Sequence, residues 1–122
     1  MGGEGLRVRA EEFLRFYDSE LSRHFRAEEE ILFPRMREHV PASLALIEEL
    51  SRDHDDIRRA LPEMAVGRGL AKLIFDIGDL LERHIRKEER ELFPLFERHA
   101  DQVDAENIGA EIRRLLARRA AG

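Results

Sequence analysis

Cysteine is absent from this sequence of 122 residues, which excludes disulfide bonds and thiolate metal ligands. Any metal ion must therefore be bound through imidazole nitrogens and carboxylate oxygens. Tryptophan is also absent, tyrosine occurs once and proline four times, whereas charged residues make up 39% of the chain. Together with the Leu, Ala, Glu and Arg content, this composition favours a helical protein.

Long apolar runs and an excess of positive charge are absent too. No stretch approaches the ~18 apolar residues of a membrane span, and the first residues lack the apolar segment of a signal peptide. The net charge of −5 gives no general attraction to nucleic acid or anionic membranes. We therefore expect a cytoplasmic protein that binds neither nucleic acid nor membranes, folded as one domain over residues 1–122.

Apolar residues recur at helical spacing in four segments of the chain, with Arg and Glu on the other faces. In the first segment the apolar stripe comprises Ala10, Leu14, Tyr17, Leu21 and Ile31. Four helices are therefore predicted, from residue 6 to 33, from about 41 to 61, from about 70 to 93, and from 105 to about 119.

Proline is expected to limit these helices, because it lacks an N–H and its ring clashes with the preceding turn. Pro34 and Pro94 should kink or end the first and third helices, and Pro62 with the Gly67-Arg-Gly69 segment should end the second. Short links and the absence of strand alternation predict an all-α fold, an up-and-down helical bundle. The phenylalanines expected to pack its interior are Phe25, Phe33, Phe93 and Phe96.

One segment of the sequence occurs twice. HFRAEEEILFP, residues 24–34, returns sixty residues later as HIRKEERELFP. A His-x-x-x-Glu pair therefore occurs in two equivalent places, as His24 with Glu28 and as His84 with Glu88. Side chains four residues apart on a helix have Cβ atoms only ~5–6 Å apart, so each pair can address the same or adjacent ions.

Both pairs lie on the apolar faces of their helices, and His54 lies on the buried side of the second helix. An ionised carboxylate in an apolar interior costs several kcal/mol unless it is paired or bound to a metal. Inward histidines beside inward glutamates therefore predict a metal site. Its predicted ligands are His24, Glu28, His54, His84 and Glu88. Two such carboxylates indicate two ions, iron or manganese in preference to zinc.

Each element of this site has a plainer explanation. A single His-x-x-x-Glu is usually a hydrogen-bonded pair on a helix surface, and only its duplication on the apolar faces favours metal binding. Glu29 and Glu89 lie one position off those faces and are expected to contact ligands or to be solvated. Tyr17 is expected to fill the core, with a position beside the ligands as the alternative. His39 and His99 lie beyond the prolines and are excluded as ligands.

The duplicated segment, with the Asp-His-Asp-Asp sequence at residues 53–56, resembles the hemerythrin-like family, also called the HHE cation-binding domain. The resemblance extends over nearly the whole chain. It implies a four-helix bundle with a non-haem diiron centre that binds dioxygen or a related small ligand such as nitric oxide, for oxygen binding, for redox or iron sensing, or for iron handling. It also implies that His24 and His84 are terminal ligands, Glu28 and Glu88 bridges, and His54 the single ligand of its helix.

In one respect the sequence departs from that family, in which a helix with another inward histidine usually precedes the first His-x-x-x-Glu helix. The family's first helix is expected to be missing here, because a counterpart of His54 sixty residues earlier would lie before Met1. Three explanations remain open: an absent segment, a reduced set of ligands, or a last helix that fills the slot. If the slot stays open, we expect a homodimer to cover the apolar faces beside it.

The sequence thus favours a protein that binds two iron ions, or manganese or zinc in their place, and through them dioxygen or a similar small ligand. A ferritin-like enzyme is disfavoured, because its Glu-x-x-His spacing is absent and the order here is reversed. We therefore do not expect an enzyme. The alternative is a structural or interaction module whose metal site has degenerated.

Overall fold

The computed structural model describes the backbone of residues 3–121, together with the side chains of residues 4–101 and 103–115. Within this range there is no β-strand, and the predicted all-α bundle is confirmed. Short connections make consecutive helices antiparallel, and the second helix contacts both the first and the third. The four long helices are α1, residues 3–39; α2, Leu44–Val66; α3, residues 70–98; and α4, Ala105–Ala121.

None of the helices in the described part of the chain combines the length and the apolar character needed to cross a membrane.

The repeated segment forms a widened, π-helical turn in both helices that carry it, Glu28–Leu32 in α1 and Glu88–Leu92 in α3. In each turn, the N–H of the following phenylalanine donates to the glutamate carbonyl five residues earlier. Such turns insert one residue into the helical repeat and are frequent at functional sites. As a result Phe33 is fully buried, whereas Ile31, predicted for the apolar stripe, is only half-buried.

Proline does not end α1 or α3, so this part of the prediction was wrong. α1 continues through Pro34 to His39, and α3 continues through Pro94 to Arg98. Each proline lies in the first turn of the α-helical stretch that follows the π-helical turn, where a missing N–H costs little.

The second helix also extends beyond its predicted end near residue 61. Pro62 lies inside α2, which continues to Val66 because the burial of Met64 in the core stabilises its last turn. Gly67 then ends the helix with a φ of 90°, a left-handed conformation that glycine adopts at little cost.

Two clusters of buried side chains fill the bundle, and His54 lies between them on α2. The first cluster comprises Leu32, Phe33, Met36, Val40, Ile47, Leu50, Leu92, Val103 and Ile108. The second comprises Ala10, Leu21, Phe25, Ile57, Ala60, Met64, Leu70 and Ile77. Phe96 packs against the first cluster, as predicted, but Phe93 does not fill the interior, because 41% of it is exposed.

The described side chains of the last helix cover only part of the slot that the sequence predicted to be open. α4 packs against residues 22–32 of α1, with Ile108 and Leu115 buried. Arg35 Nη2 donates to Glu111 Oε1 at 3.3 Å and joins the two helices at this end. Farther along the bundle, the described side chains that line the space between α1 and α3 come from those two helices alone.

Candidate metal centre

Four of the five predicted ligands meet between α1, α2 and α3. Glu28, His54 and His84 each offer one ligand atom, and these atoms lie within 4.8 Å of one another. Glu28 Oε1 lies 3.0 Å from His54 Nε2 and 3.9 Å from His84 Nε2. Glu88 Oε2 lies 3.3 Å from His84 Nε2, so Glu88 extends the same group.

The polar atoms at the centre of this group are buried and lack hydrogen bonds. His54 is 0% and His84 2% exposed, and their side chains lie among apolar residues of both clusters. Within the described residues, His54 Nε2, His84 Nε2 and Glu88 Oε2 have no hydrogen-bond partner. Unpaired buried polar atoms are costly, so three of them in neighbouring residues of one group indicate a ligand that binds there.

The other ring nitrogen of His54 is fixed by a chain of charged groups. His54 Nδ1 lies 2.6 Å from Glu29 Oε2. Arg58 donates to both oxygens of Glu29, at 2.7 and 2.9 Å, and its Nε donates to the Tyr17 hydroxyl at 3.0 Å. Glu29 therefore contacts a predicted ligand. Tyr17 packs against the second core cluster, as predicted, and its hydroxyl accepts from Arg58.

Aromatic rings hold the His54 imidazole from its faces. Phe25 stacks on it with ring centroids 3.7 Å apart, and the Phe33 centroid lies 5.8 Å away. The Arg58 guanidinium lies 5.5 Å from the Phe25 centroid, within the range of a cation–π interaction. The hydrogen bond of Nδ1 therefore fixes the His54 ring within its plane, and the stacked phenylalanines fix it perpendicular to that plane.

His84 is braced in the same way by a different pair of residues. Its Nδ1 lies 3.0 Å from Asp53 Oδ2, and Lys87 Nζ lies 2.8 Å from the same oxygen. Lys87 also donates to Glu49 Oε1 at 3.0 Å. Asp53, Lys87 and Arg58 were not predicted from the sequence. The position of Asp53 next to His54 could have indicated its role. Adjacent residues on a helix point about 100° apart, so Asp53 faces α3 while His54 faces α1.

These contacts determine which ring nitrogen carries the proton. A carboxylate only accepts hydrogen bonds, so Nδ1 of each histidine is the N–H that donates, and in a neutral ring Nε2 presents a lone pair. The lone pair of His54 Nε2 then faces a carboxylate oxygen of Glu28 at 3.0 Å. Two such atoms repel each other unless a cation or a second proton lies between them.

When no metal is bound, the pKa values of Glu28 and His84 are both shifted in the direction that favours a proton between them. Burial raises the pKa of the Glu28 carboxyl, but its close contacts with His54 and His84, and their positive charge when protonated, outweigh burial and lower this pKa below its usual range. Burial lowers the pKa of His84, but the nearby Glu28 carboxylate and the hydrogen bond to Asp53 outweigh that effect and raise the pKa above its usual value. A proton and a metal ion thus compete for the same nitrogen.

His24, the fifth predicted ligand, lies outside the close group. It is exposed and lines a pocket of about 270 Å³ between α1 and α3, together with Glu28, His84 and Glu88. The walls of this pocket are apolar: Phe16, Leu21, Phe25, Leu81, Ile85 and Phe93. The role of His24 as a ligand stays a prediction.

Three other polar residues weighed in the sequence lie away from the centre. Glu89 is exposed, and His39 is exposed with Glu38 Oε2 3.8 Å from its Nε2. His99 Nδ1 donates to the Leu95 carbonyl at 3.1 Å. The described geometry therefore gives no ligand role to these residues.

The residues that are present fit a metal ion. Two imidazole nitrogens and the carboxylates of Glu28 and Glu88 form a donor set that suits iron, manganese or zinc. Each imidazole also donates its other N–H to a carboxylate, an arrangement usual for metal-binding histidines.

Comparison with known proteins gives one match. The family model described as "Hemerythrin HHE cation binding domain" matches residues 2–96. No curated protein and no solved structure matches the chain significantly.

Proposed function

Because the chain belongs to the hemerythrin HHE cation-binding domain family, we propose that it is a non-haem diiron protein that binds dioxygen or a related small ligand such as nitric oxide. In this proposal the protein senses that ligand or the supply of iron, or handles iron, in the cytoplasm. It is a binding protein and not an enzyme.

The observation that carries the proposal is the set of unpaired atoms in the interior. His54 Nε2, His84 Nε2 and Glu88 Oε2 are buried without hydrogen bonds; both imidazole nitrogens lie near Glu28, and Glu88 lies near His84. A core built for stability alone would not retain three such atoms, since each costs roughly 1–3 kcal/mol when left unsatisfied. A bound cation removes that cost.

The chain would hold iron through His54, His84, Glu28 and Glu88, with His24 contributing from the pocket. An iron pair supplies reversible oxidation and an open coordination position for a small ligand. Glu29 and Asp53 keep the proton of each imidazole on Nδ1, so that Nε2 is free to bind. Apolar side chains line the pocket beside this position.

Metal analysis and absorption spectroscopy of the purified protein test the proposal. We expect two irons per chain and a charge-transfer band that changes on reduction and again on exposure to oxygen. His54→Ala should lose most of the metal and the band. His39→Ala is the matched control, because His39 is exposed and pairs with Glu38 and not with a proposed ligand. This variant should behave as the original protein.

The result that would contradict the proposal is a folded protein that acquires no transition metal when iron is supplied. Manganese or zinc in place of iron would keep the metal site but remove the oxygen chemistry.

A structural or interaction module with a degenerate metal site is the second candidate. It is favoured by the exposed apolar side chains beside the pocket, Phe16 and Ile85 at 44% each and Phe93 at 41%. Such side chains often mark a surface that binds another protein. This module would bind little iron, so the metal analysis separates it from the first candidate.

A further inference from the structure

The two sides of the metal centre are built differently. On the inner side, the described chain provides four ligand groups at short distances: His54, His84, Glu28 and Glu88. On the outer side, which faces the pocket, the one additional imidazole is His24. We infer that the two metal positions are unequal, with a tight inner ion and a weakly held, exchangeable outer ion. This inference rests on the proposed function.

The inner position is prepared before any metal binds. Its two imidazoles are buried, and each is held by a carboxylate that is itself held by a cation, Glu29 by Arg58 and Asp53 by Lys87. Little conformational entropy is therefore lost when an ion binds there. The removal of such supporting contacts typically costs 10–100-fold in metal affinity, which indicates how much they contribute.

The outer position lacks this preparation. His24 is exposed, and no hydrogen bond from another described side chain fixes its ring. Glu28 and Glu88 line the pocket as well as the inner group, so an outer ion would share carboxylates that already serve the inner one. An outer ion would therefore gain one exposed imidazole, and it would share the negative charge of two carboxylates with the inner ion.

The pocket also gives the outer position a route for exchange. Its volume of about 270 Å³ exceeds the roughly 30 Å³ that a water molecule occupies in the liquid, so an ion can enter with its water molecules. The inner position lies deeper, because His54 does not line this pocket and both His54 and His84 are buried. Occupancy of the outer position should therefore follow the free metal concentration, while the inner ion remains bound.

Titration of the metal-free protein with Fe(II) under argon tests this inequality. We expect two binding events, the second at least about 10-fold weaker than the first. After rapid desalting, about one iron per chain should remain. His24→Ala should remove the second event and leave the first unchanged, whereas His54→Ala should weaken the first. His39→Ala, the control, should change neither, and circular dichroism should show all variants folded.

The outcomes separate this inference from the proposed function. Two irons bound with equal affinity and retained through desalting would overturn the inequality while supporting the diiron proposal. A single event with no second one at any iron concentration would overturn the outer position. Equal weakening of both events by His24→Ala would also overturn it. A folded protein that binds no iron would contradict the proposed function itself.

Discussion

His54 Nδ1 donates to Glu29 Oε2 over only 2.6 Å, and the opposite nitrogen of the same ring faces Glu28. Glu29 and Glu28 are neighbours in the sequence, yet one supports the imidazole from behind while the other approaches the atom that would bind metal. The same division occurs around His84, which Asp53 supports from behind and Glu88 approaches from the front. Neutral, oriented imidazoles are the form that metals bind.

Replacing the supporting carboxylate of His54 should weaken metal binding without removing a ligand. In Glu29→Gln the bidentate pair with Arg58 is lost, and the amide can turn its NH₂ toward Nδ1 and favour the wrong tautomer. We expect a 10–100-fold loss of affinity for zinc in a competition titration. The ¹⁵N shifts of His54 in the metal-free protein should report the change of tautomer.

Glu30→Gln is the matched control for this variant. Glu30 is the next residue, is exposed, and pairs only with Arg26 among the described side chains. Its replacement should leave both the affinity and the His54 shifts unchanged. If Glu29→Gln binds zinc as tightly as Glu30→Gln does, the supporting role of Glu29 is wrong.

The sequence was sufficient to predict the ligand helices, because two copies of one motif on apolar faces constrain each other. The family match and the convergence of Glu28, His54 and His84 agree with that prediction. The passage of α1 through Pro34 could not be predicted, since it depends on a π-helical turn whose signal is not periodic. Phe93 was misplaced because only the three-dimensional arrangement shows that no described side chain of α4 lines the pocket.

The residues that support the ligand histidines could be predicted from the sequence only in part. Arg58 and Lys87 are long cations whose partners depend on how neighbouring helices are rotated, and many such residues on a helix are solvated. Only the structure shows that both reach carboxylates behind ligand histidines.

Asp53 supports His84 and should also contribute to stability. In Asp53→Asn the amide oxygen can still accept from Nδ1, but the charged contact with Lys87 is lost from a buried position. Hydrogen bonds that involve charged groups contribute ~1.5–3 kcal/mol, so we expect a loss of about this size in the free energy of unfolding. Urea denaturation of the metal-free protein measures it.

The control is Asp55→Asn, which removes the same charge two residues away at an exposed position of α2. Its free energy of unfolding should change by less than about 0.5 kcal/mol. Equal losses in the two variants would show that the effect comes from net charge and not from the contact of Asp53 with Lys87.

The stability of the metal-free protein should depend on pH through His84. Burial lowers its pKa, but the nearby Glu28 carboxylate and the hydrogen bond to Asp53 outweigh burial and raise it above the usual 6.5. A group whose pKa is raised on folding stabilises the folded protein at pH values below its pKa in the unfolded chain. This contribution disappears as the pH rises through the pKa of the folded protein. The melting temperature should therefore fall as the pH rises above about 6.5.

Glu28 should make the metal-free protein less stable at acid pH. Its pKa is lowered below the usual 4.5, so its contribution is present above that value and is lost as the pH falls through the folded pKa. Bound metal should reverse the fall in melting temperature at higher pH, because the ion binds the deprotonated Nε2 of His84. The rise in melting temperature on adding zinc should therefore grow with pH. A zinc effect that is independent of pH would argue against metal binding by His84.

The exposed apolar side chains beside the pocket lead to a prediction about self-association, since Phe16, Ile85 and Phe93 each expose more than 40% of their surface. The same face exists on every copy, so two copies can bury it against each other about a two-fold axis. We propose that a homodimer covers this face. Ile85→Glu would place a carboxylate in that interface and should shift the dimer to monomer.

Sedimentation equilibrium of the metal-free and zinc-loaded protein measures this shift. Val66→Glu is the control, because Val66 is an exposed apolar residue at the end of α2 and is not among the residues that line the pocket. It should dimerise as the original protein does. A mass that stays monomeric up to about 100 μM, where weak specific complexes are already populated, would contradict the homodimer. So would a dimer that Ile85→Glu and Val66→Glu leave equally intact, since the contact would then lie on another face.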